Sequence, residues 1–285
     1  MKYLLIISIF ANYLFAQINI AVSLLPQKTF VEKIAGNKAN IIAMVQPGSN
    51  PHSYEPKPSQ LRELSKVQIY FPIHIGFENV WLEKFATQNK NMKIVSMTKG
   101  VKYILMKKHK RKNTENSHDK KTYVKPDPHT WTSTLNVKIM AKNIYNELIK
   151  IDSKNKDFYK KNFLAFLDEI NSTDKKIREL LLNVPSDSKF MVFHPSWGYF
   201  ARDFGLSQFP IEIEGKEPKP KVLLELIKKA EEENIKAIFT QSEFSDKSAK
   251  SLAKELKIKV IKESTLSKNW SQNLINMATA IANNK

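Results

Sequence analysis

The sequence contains no cysteine, and this absence excludes several kinds of site and linkage. Disulfide bonds and thiolate metal ligands cannot form without it. We also expect no lipid on a cysteine at the processed N-terminus. Any metal site in this chain therefore has to do without thiolate ligands.

Arginine is scarce. Only four of the 46 basic residues are arginine, and the remainder are lysine. Proteins that read bases and phosphates rely on the bidentate guanidinium of arginine. The net charge of +18 is therefore interpreted as a lysine-rich solvated surface, and we expect no nucleic-acid partner.

Long apolar runs are also lacking beyond the first residues. The run from Tyr3 to Phe15 follows Lys2 and precedes Ala16, a plausible last residue before cleavage. It is too short for a good membrane span and is typical of a secretory signal peptide. We therefore expect residues 1–16 to be a signal peptide and the mature protein to be soluble and periplasmic.

The rest of the chain alternates strands with helices. Short β-rich segments at 18–24, 40–45, 67–71 and 93–97 are separated by helical segments, and the alternation resumes beyond Pro185, with one strand predicted over 208–213. Such alternation predicts α/β architecture with parallel sheets and helical crossovers. We predict an N-terminal lobe over residues 17–152 and a C-terminal lobe over 184–285.

One long helix is predicted between the lobes, over residues 153–183, with Ser153 as its cap. Tyr159, Phe163, Ile170 and Ile177 are among the apolar residues that recur at spacings typical of one helix face. About thirty residues at 1.5 Å each would span roughly 45 Å. That length suits a rigid strut between two lobes.

Residues 107–125 differ sharply in composition from their surroundings. The segment is dominated by lysine and shows no apolar periodicity, so it predicts a mobile surface loop. His109 and His118 lie within it. A weak metal-collecting role is an alternative for them, but clustered cations repel a metal ion and favour a plain surface loop.

Three other histidines point to a metal site. His52 and His194 each follow a predicted strand, and His129 lies between two prolines, which stiffen its loop, and Trp131. Loops beyond the carboxyl ends of parallel strands converge on ligands in α/β proteins. Nitrogen ligands suit zinc, with copper or nickel also open. His74, just past the third strand, is interpreted as a packed or solvent-facing residue.

These histidines stand in motifs that resemble a known family. The stretches Pro51-His52-Ser53-Tyr54-Glu55-Pro56, Asp127-Pro128-His129-Thr130-Trp131 and Phe193-His194-Pro195-Ser196-Trp197-Gly198 are similar to the ligand motifs of the zinc and manganese substrate-binding proteins of ABC importers. The turn from Ile213 to Pro218 also resembles one that these proteins share. The resemblance covers nearly the whole mature chain.

The resemblance implies two Rossmann-like lobes joined by a single long rigid helix, with the metal in the cleft between them. It carries ligand roles to His52, His129 and His194. Manganese receptors usually place a carboxylate at the third position, so His194 favours Zn²⁺ over manganese. The implied partners are an ABC permease and its ATPase at the inner membrane, and we expect a monomer.

The fourth ligand departs from the family pattern. The family commonly has an Asp where this chain has Ser264, and a neutral hydroxyl is a poor zinc ligand. We therefore expect three histidines plus water. Glu263 is the reserve candidate, although adjacent strand residues point to opposite faces.

Two alternative functions remain open from the sequence. Three histidines with an open position also describe catalytic zinc, as in a secreted hydrolase. Such an enzyme needs a general base near the metal-bound water, and Glu55 is the nearest candidate. A metal-binding adhesin, in which the ion is structural, is the other alternative.

Overall fold

The computed structural model describes residues 17–106, 125–212 and 216–284. The expected signal peptide lies outside these ranges. So do residues 107–124 of the lysine-rich segment, with His109 and His118, and residues 213–215 of the shared turn. Within the described ranges, no helix combines the length and the apolar character needed to cross a bilayer.

The first lobe is built on a four-stranded parallel sheet with the order β2-β1-β3-β4. The central strand β1 is almost wholly buried, as expected for a strand covered on both faces. Its strands are β1 (Ile18–Val22), β2 (Ala39–Ala43), β3 (Ile69–Phe71) and β4 (Lys93–Ile94), connected by helices α1 (Leu25–Ala35), α2 (Pro58–Leu64) and α3 (Glu78–Gln88).

The second lobe repeats this arrangement in a sheet with the order β6-β5-β7-β8, again all parallel. Its strands are β5 (Ser188–Val192), β6 (Leu206–Pro210), β7 (Ala237–Thr240) and β8 (Lys259–Lys262), and its helices are α6 (Gly198–Asp203), α7 (Pro220–Glu232) and α8 (Lys247–Leu256). The predicted α/β fold with two parallel-sheet lobes is confirmed.

One predicted strand is shifted in the second lobe. The sequence suggested a strand over 208–213, whereas β6 begins at Leu206 and ends at Pro210. Gly205 adopts a left-handed φ of 67°, which turns the chain directly from α6 into the sheet. Leu206 is then already paired with Ser188 of β5.

The lobes are linked by helix α5 (Lys156–Leu180), which follows α4 (Thr134–Ile151). Residues Ser153–Asn155 form a separate 3₁₀ turn, so the predicted cap at Ser153 is wrong and the helix starts later. At 1.5 Å per residue its 25 residues extend about 37 Å. The predicted long connecting helix is confirmed, with these shorter bounds.

The last helix, α9 (Trp270–Asn283), returns from the second sheet and packs against α5. Phe30 of α1, Phe166 of α5 and Trp270 of α9 meet in one cluster. The Phe30 and Trp270 rings lie edge to face with centroids 5.4 Å apart, a favourable aromatic arrangement. Burial of these rings fixes the chain beyond β8 against the first lobe.

Candidate metal centre

His52 lies in the loop after β2, exposed on one side of the cleft. Its backbone N–H donates to Asn50 Oδ1 at 2.8 Å, which holds the loop in a tight local turn. Gly76, in the loop after β3, packs directly against it. A Cβ at position 76 would lie 3.1 Å from both His52 Cα and the His52 carbonyl oxygen, so glycine permits this close approach.

His129 is buried at the entry to a short 3₁₀ helix, Thr130–Thr132. Asp127 Oδ1 accepts hydrogen bonds from His129 Nδ1 at 2.7 Å and from its backbone N–H at 2.9 Å. The ring therefore donates through Nδ1, which leaves the lone pair of Nε2 free to face the cleft.

Asp127 is itself held by the second lobe. Its carbonyl oxygen accepts from Tyr199 Oη at 2.7 Å. A Cβ at Gly198 would come within 2.7 Å of Asp127 Oδ2, so glycine at the start of α6 leaves room for the carboxylate. The orientation of a first-lobe histidine thus depends on a second-lobe helix.

His194 is buried directly after β5. Its Nδ1 donates to Glu212 Oε1 at 2.9 Å, again leaving Nε2 free. Gln241 holds the backbone of His194, because its Nε2 donates to the His194 carbonyl oxygen at 3.1 Å. Phe244 stacks on the imidazole with ring centroids 4.3 Å apart. Three side chains therefore fix one ring direction.

The three histidines converge on one point although they are far apart in sequence. Their ligand atoms all lie within 4.8 Å of one another. His194 Nε2 lies 3.2 Å from His52 Nε2 and 3.2 Å from His129 Nε2. Nitrogens about 2.0–2.1 Å from a tetrahedral zinc would be about 3.3 Å apart, so these two distances from His194 match such a centre.

The surroundings of His52 and His194 favour their uncharged form. Burial lowers the pKa of His194 below its ordinary value, although the hydrogen bond to Glu212 opposes the shift. The pKa of His52 is also lowered, first by desolvation and then by the proximity of His194 and His129. A neutral imidazole is the form that binds a metal, so both shifts favour metal binding.

The cavity beside the three histidines is small. Its volume is about 10 Å³, which is room for one ion or one water molecule. A wider cavity of about 230 Å³ lies nearby in the cleft. Glu243 and Leu266 line both of them, and Ser264 lines the wider one.

Other candidates from the sequence do not join this cluster. Glu55, the potential general base, is exposed and does not line either cavity, and neither does Glu263. His74 has a left-handed φ of 67°, and its backbone N–H donates to the buried Glu78 carboxylate at 2.7 Å. Glu78 therefore stabilises the loop after β3, and no ligand role for His74 is indicated.

Several residues of the centre were missed from the sequence. Asp127 could have been found, because it stands two residues before His129 in the same motif. Glu212, Gln241, Glu243 and Phe244 carry no local signal, because they reach the histidines only through the order of strands in the second sheet.

Comparison with known proteins gives consistent matches. The chain is similar to ZnuA, whose crystal structure superposes on it with a TM-score of 0.86. The two sequences are 39% identical, and the match covers 94% of this chain and 99% of that one. A ZnuA deletion mutant with zinc bound is also 39% identical, with a TM-score of 0.85 and coverage of 94% and 98%. The manganese ABC transporter substrate-binding lipoprotein PsaA of Streptococcus pneumoniae is 29% identical, over 80% of this chain and 73% of PsaA.

Two α/β lobes, one connecting helix and a histidine cluster in the cleft, taken with these matches, define a substrate-binding protein of a metal ABC transporter. More particularly, the chain belongs to the family of zinc-uptake complex component A, periplasmic, whose model matches residues 20–284. The resemblance noted in the motifs is confirmed. The family consists of solute-binding receptors, so the chain is a receptor and not an enzyme.

Proposed function

We propose that this receptor binds Zn²⁺ through His52, His129 and His194 and delivers it to the permease and ATPase of a high-affinity importer. The observation that supports zinc is the donor set, since the three side chains that cluster among the described residues are all imidazoles. Manganese prefers carboxylate, carbonyl and water oxygens, whereas imidazole suits zinc. A relative named for manganese makes the choice of metal a question for experiment.

The cellular setting forms part of the same proposal. Residues 1–16 act as a signal peptide, the mature receptor works as a monomer in the periplasm, and the lobes correspond to 17–152 and 184–285 around the connecting helix. Mass spectrometry of the protein recovered from the periplasm should show an N-terminus at Gln17. A protein retained in the cytoplasm with Met1 intact would contradict this proposal.

Metal titration tests the central claim. Metal-stripped protein should bind one Zn²⁺ per chain in competition with a chelator, and more tightly than Mn²⁺. His194→Ala should weaken zinc binding by more than about 100-fold, because even residues that only orient a ligand are worth about 10–100-fold. His74→Ala, outside the cluster, should leave affinity within about threefold. Tighter binding of Mn²⁺, or no loss in His194→Ala, would refute zinc selectivity at this site.

A further inference from the structure

Ser264 and the carboxylate to which it is hydrogen-bonded bear on the identity of the fourth ligand of the metal site. Ser264 stands where the motif resemblance implies an Asp, and its neutral hydroxyl is a poor zinc ligand. The Ser264 hydroxyl instead donates a hydrogen bond to Glu243 Oε1 at 2.6 Å. A carboxylate from the loop after β7 is thereby held beside Ser264.

Glu243 belongs to a segment that is fixed to His194 on both sides. Two residues earlier, Gln241 is hydrogen-bonded to the His194 backbone, and Phe244, one residue later, stacks on the His194 ring. The backbone of residue 243 therefore cannot move far without disturbing a metal-binding ring. The Glu243 side chain can still rotate about its own bonds, and its hydrogen bonds in this structure are to Ser242 and Ser264.

Glu243 also supplies the negative charge at the wall of both cavities. It lines both the small cavity at the three histidines and the wider cavity in the cleft. Among the described residues that line either cavity it is the only carboxylate. Three neutral imidazoles leave the full charge of a divalent cation uncompensated, so an anionic donor at this wall would be strongly attracted to the ion.

We propose that Glu243 is the fourth metal ligand, in the role that the motif resemblance would give to an Asp at position 264. In the metal-free protein the Ser264 hydroxyl holds the carboxylate at the wall of the small cavity, outside the histidine cluster. When the ion binds, the side chain turns and completes a tetrahedral set of three nitrogens and one oxygen. Because residue 243 follows β7 of the second sheet, the ion then gains a second ligand from that lobe beside His194.

The inference rests on the proposed zinc receptor function, and its test separates the two. Zinc affinity is measured by chelator competition for the wild type, Glu243→Gln and the matched control Glu263→Gln, whose carboxylate lies outside both cavities. Glu243→Gln should weaken binding by about 10–100-fold. Glu263→Gln should stay within about threefold of the wild type.

A double variant supplies the decisive comparison. If the acidic donor has moved from position 264 to 243, then Ser264→Asp placed in the Glu243→Gln background should restore affinity to within about threefold of the wild type. With Co²⁺ as a visible probe, the absorption bands of the bound metal should change in Glu243→Gln and stay unchanged in Glu263→Gln. Equal thermal unfolding of the metal-free variants controls for folding.

The outcomes are distinct. Glu243→Gln with wild-type affinity and an unchanged Co²⁺ spectrum would overturn the proposal in favour of water, and a larger loss in Glu263→Gln would overturn it in favour of Glu263. A loss in Glu243→Gln without recovery in the double variant would place Glu243 outside the coordination sphere. Failure of the wild type to bind one Zn²⁺ in a His194-dependent way would instead refute the receptor function itself.

Discussion

At the scale of single residues, the centre depends on how carboxylates orient imidazoles. Asp127 and Glu212 each accept from the Nδ1 atom of a histidine, so Nε2 is the atom that faces the cleft. Such partners fix both the tautomer and the ring direction before the metal arrives. The metal-free protein therefore presents nitrogens already spaced for a tetrahedral ion.

The lowered pKa values of His52 and His194 set the pH range of metal binding. Protons compete with zinc only where the imidazoles titrate, and both groups titrate below the ordinary value of about 6.5. Zinc affinity should thus hold from pH 7.5 to below pH 6 and fall only as the pH approaches the lowered pKa values, which for His52 is about 3, with more than one proton taken up per ion released. Chelator competition from pH 7.5 downwards measures it. A loss that begins near pH 7 would contradict a site built on these histidines.

The same shifts affect the stability of the metal-free protein. In the unfolded chain the two histidines bind protons at about pH 6.5, whereas in the folded chain they do so only at lower pH. The unfolded state therefore binds more protons below pH 6.5, and the free energy of unfolding falls as the pH decreases through that range. Urea unfolding at pH 7.5 and pH 5.5 should show this decrease.

At the scale of elements, helices α5 and α9 determine how the lobes are joined. Phe166 of α5 is fully buried, with its ring centroid 5.7 Å from that of Phe30 in α1 and 6.4 Å from that of Trp270 in α9. Trp270 Nε1 also donates to the carbonyl oxygen of Trp131 at 2.7 Å, next to His129. The aromatic cluster thus connects the helices to the metal centre.

Phe166→Ala should destabilise the protein by about 3–5 kcal/mol, because removing a buried ring leaves a cavity that the rigid helices cannot close. Leu164→Ala, two residues earlier on the same helix, is the control. Leu164 is 49% exposed, so its truncation should change stability by less than about 0.5 kcal/mol. Urea unfolding of both variants without metal makes the comparison. Equal losses in the two variants would show that this cluster does not hold α5 in place.

At the scale of the whole molecule, the ion should join the two lobes. His52 and His129 come from the first lobe and His194 from the second, and Trp131 Nε1 donates across the cleft to the Thr265 carbonyl oxygen at 2.8 Å. Direct contacts between the two lobes across the cleft therefore exist without metal. Zinc would add bonds that only the folded, closed arrangement can make.

Zinc should therefore raise the melting temperature by mass action. At a free zinc concentration one hundred times the dissociation constant, the gain is about 2.7 kcal/mol, or about 5–10 °C for a chain of this size. His194→Ala at the same zinc concentration should show almost no shift, since the second lobe then loses a principal ligand. Differential scanning calorimetry with and without a chelator measures both. An equal shift in the variant would mean that zinc stabilises the fold from some other site.

The sequence by itself determined the local features of this protein. The alternation of strands and helices, the presence of one long connecting helix and the three candidate histidines His52, His129 and His194 follow from periodicity, proline stiffness and short motifs. Tertiary structure decided the rest. Glu212 meets His194 from 18 residues away and Glu243 meets Ser264 from 21, because the order of strands in the second sheet sets which loops are neighbours. Such contacts leave no periodic trace in the chain, so only the folded molecule reveals the carboxylates around the histidines.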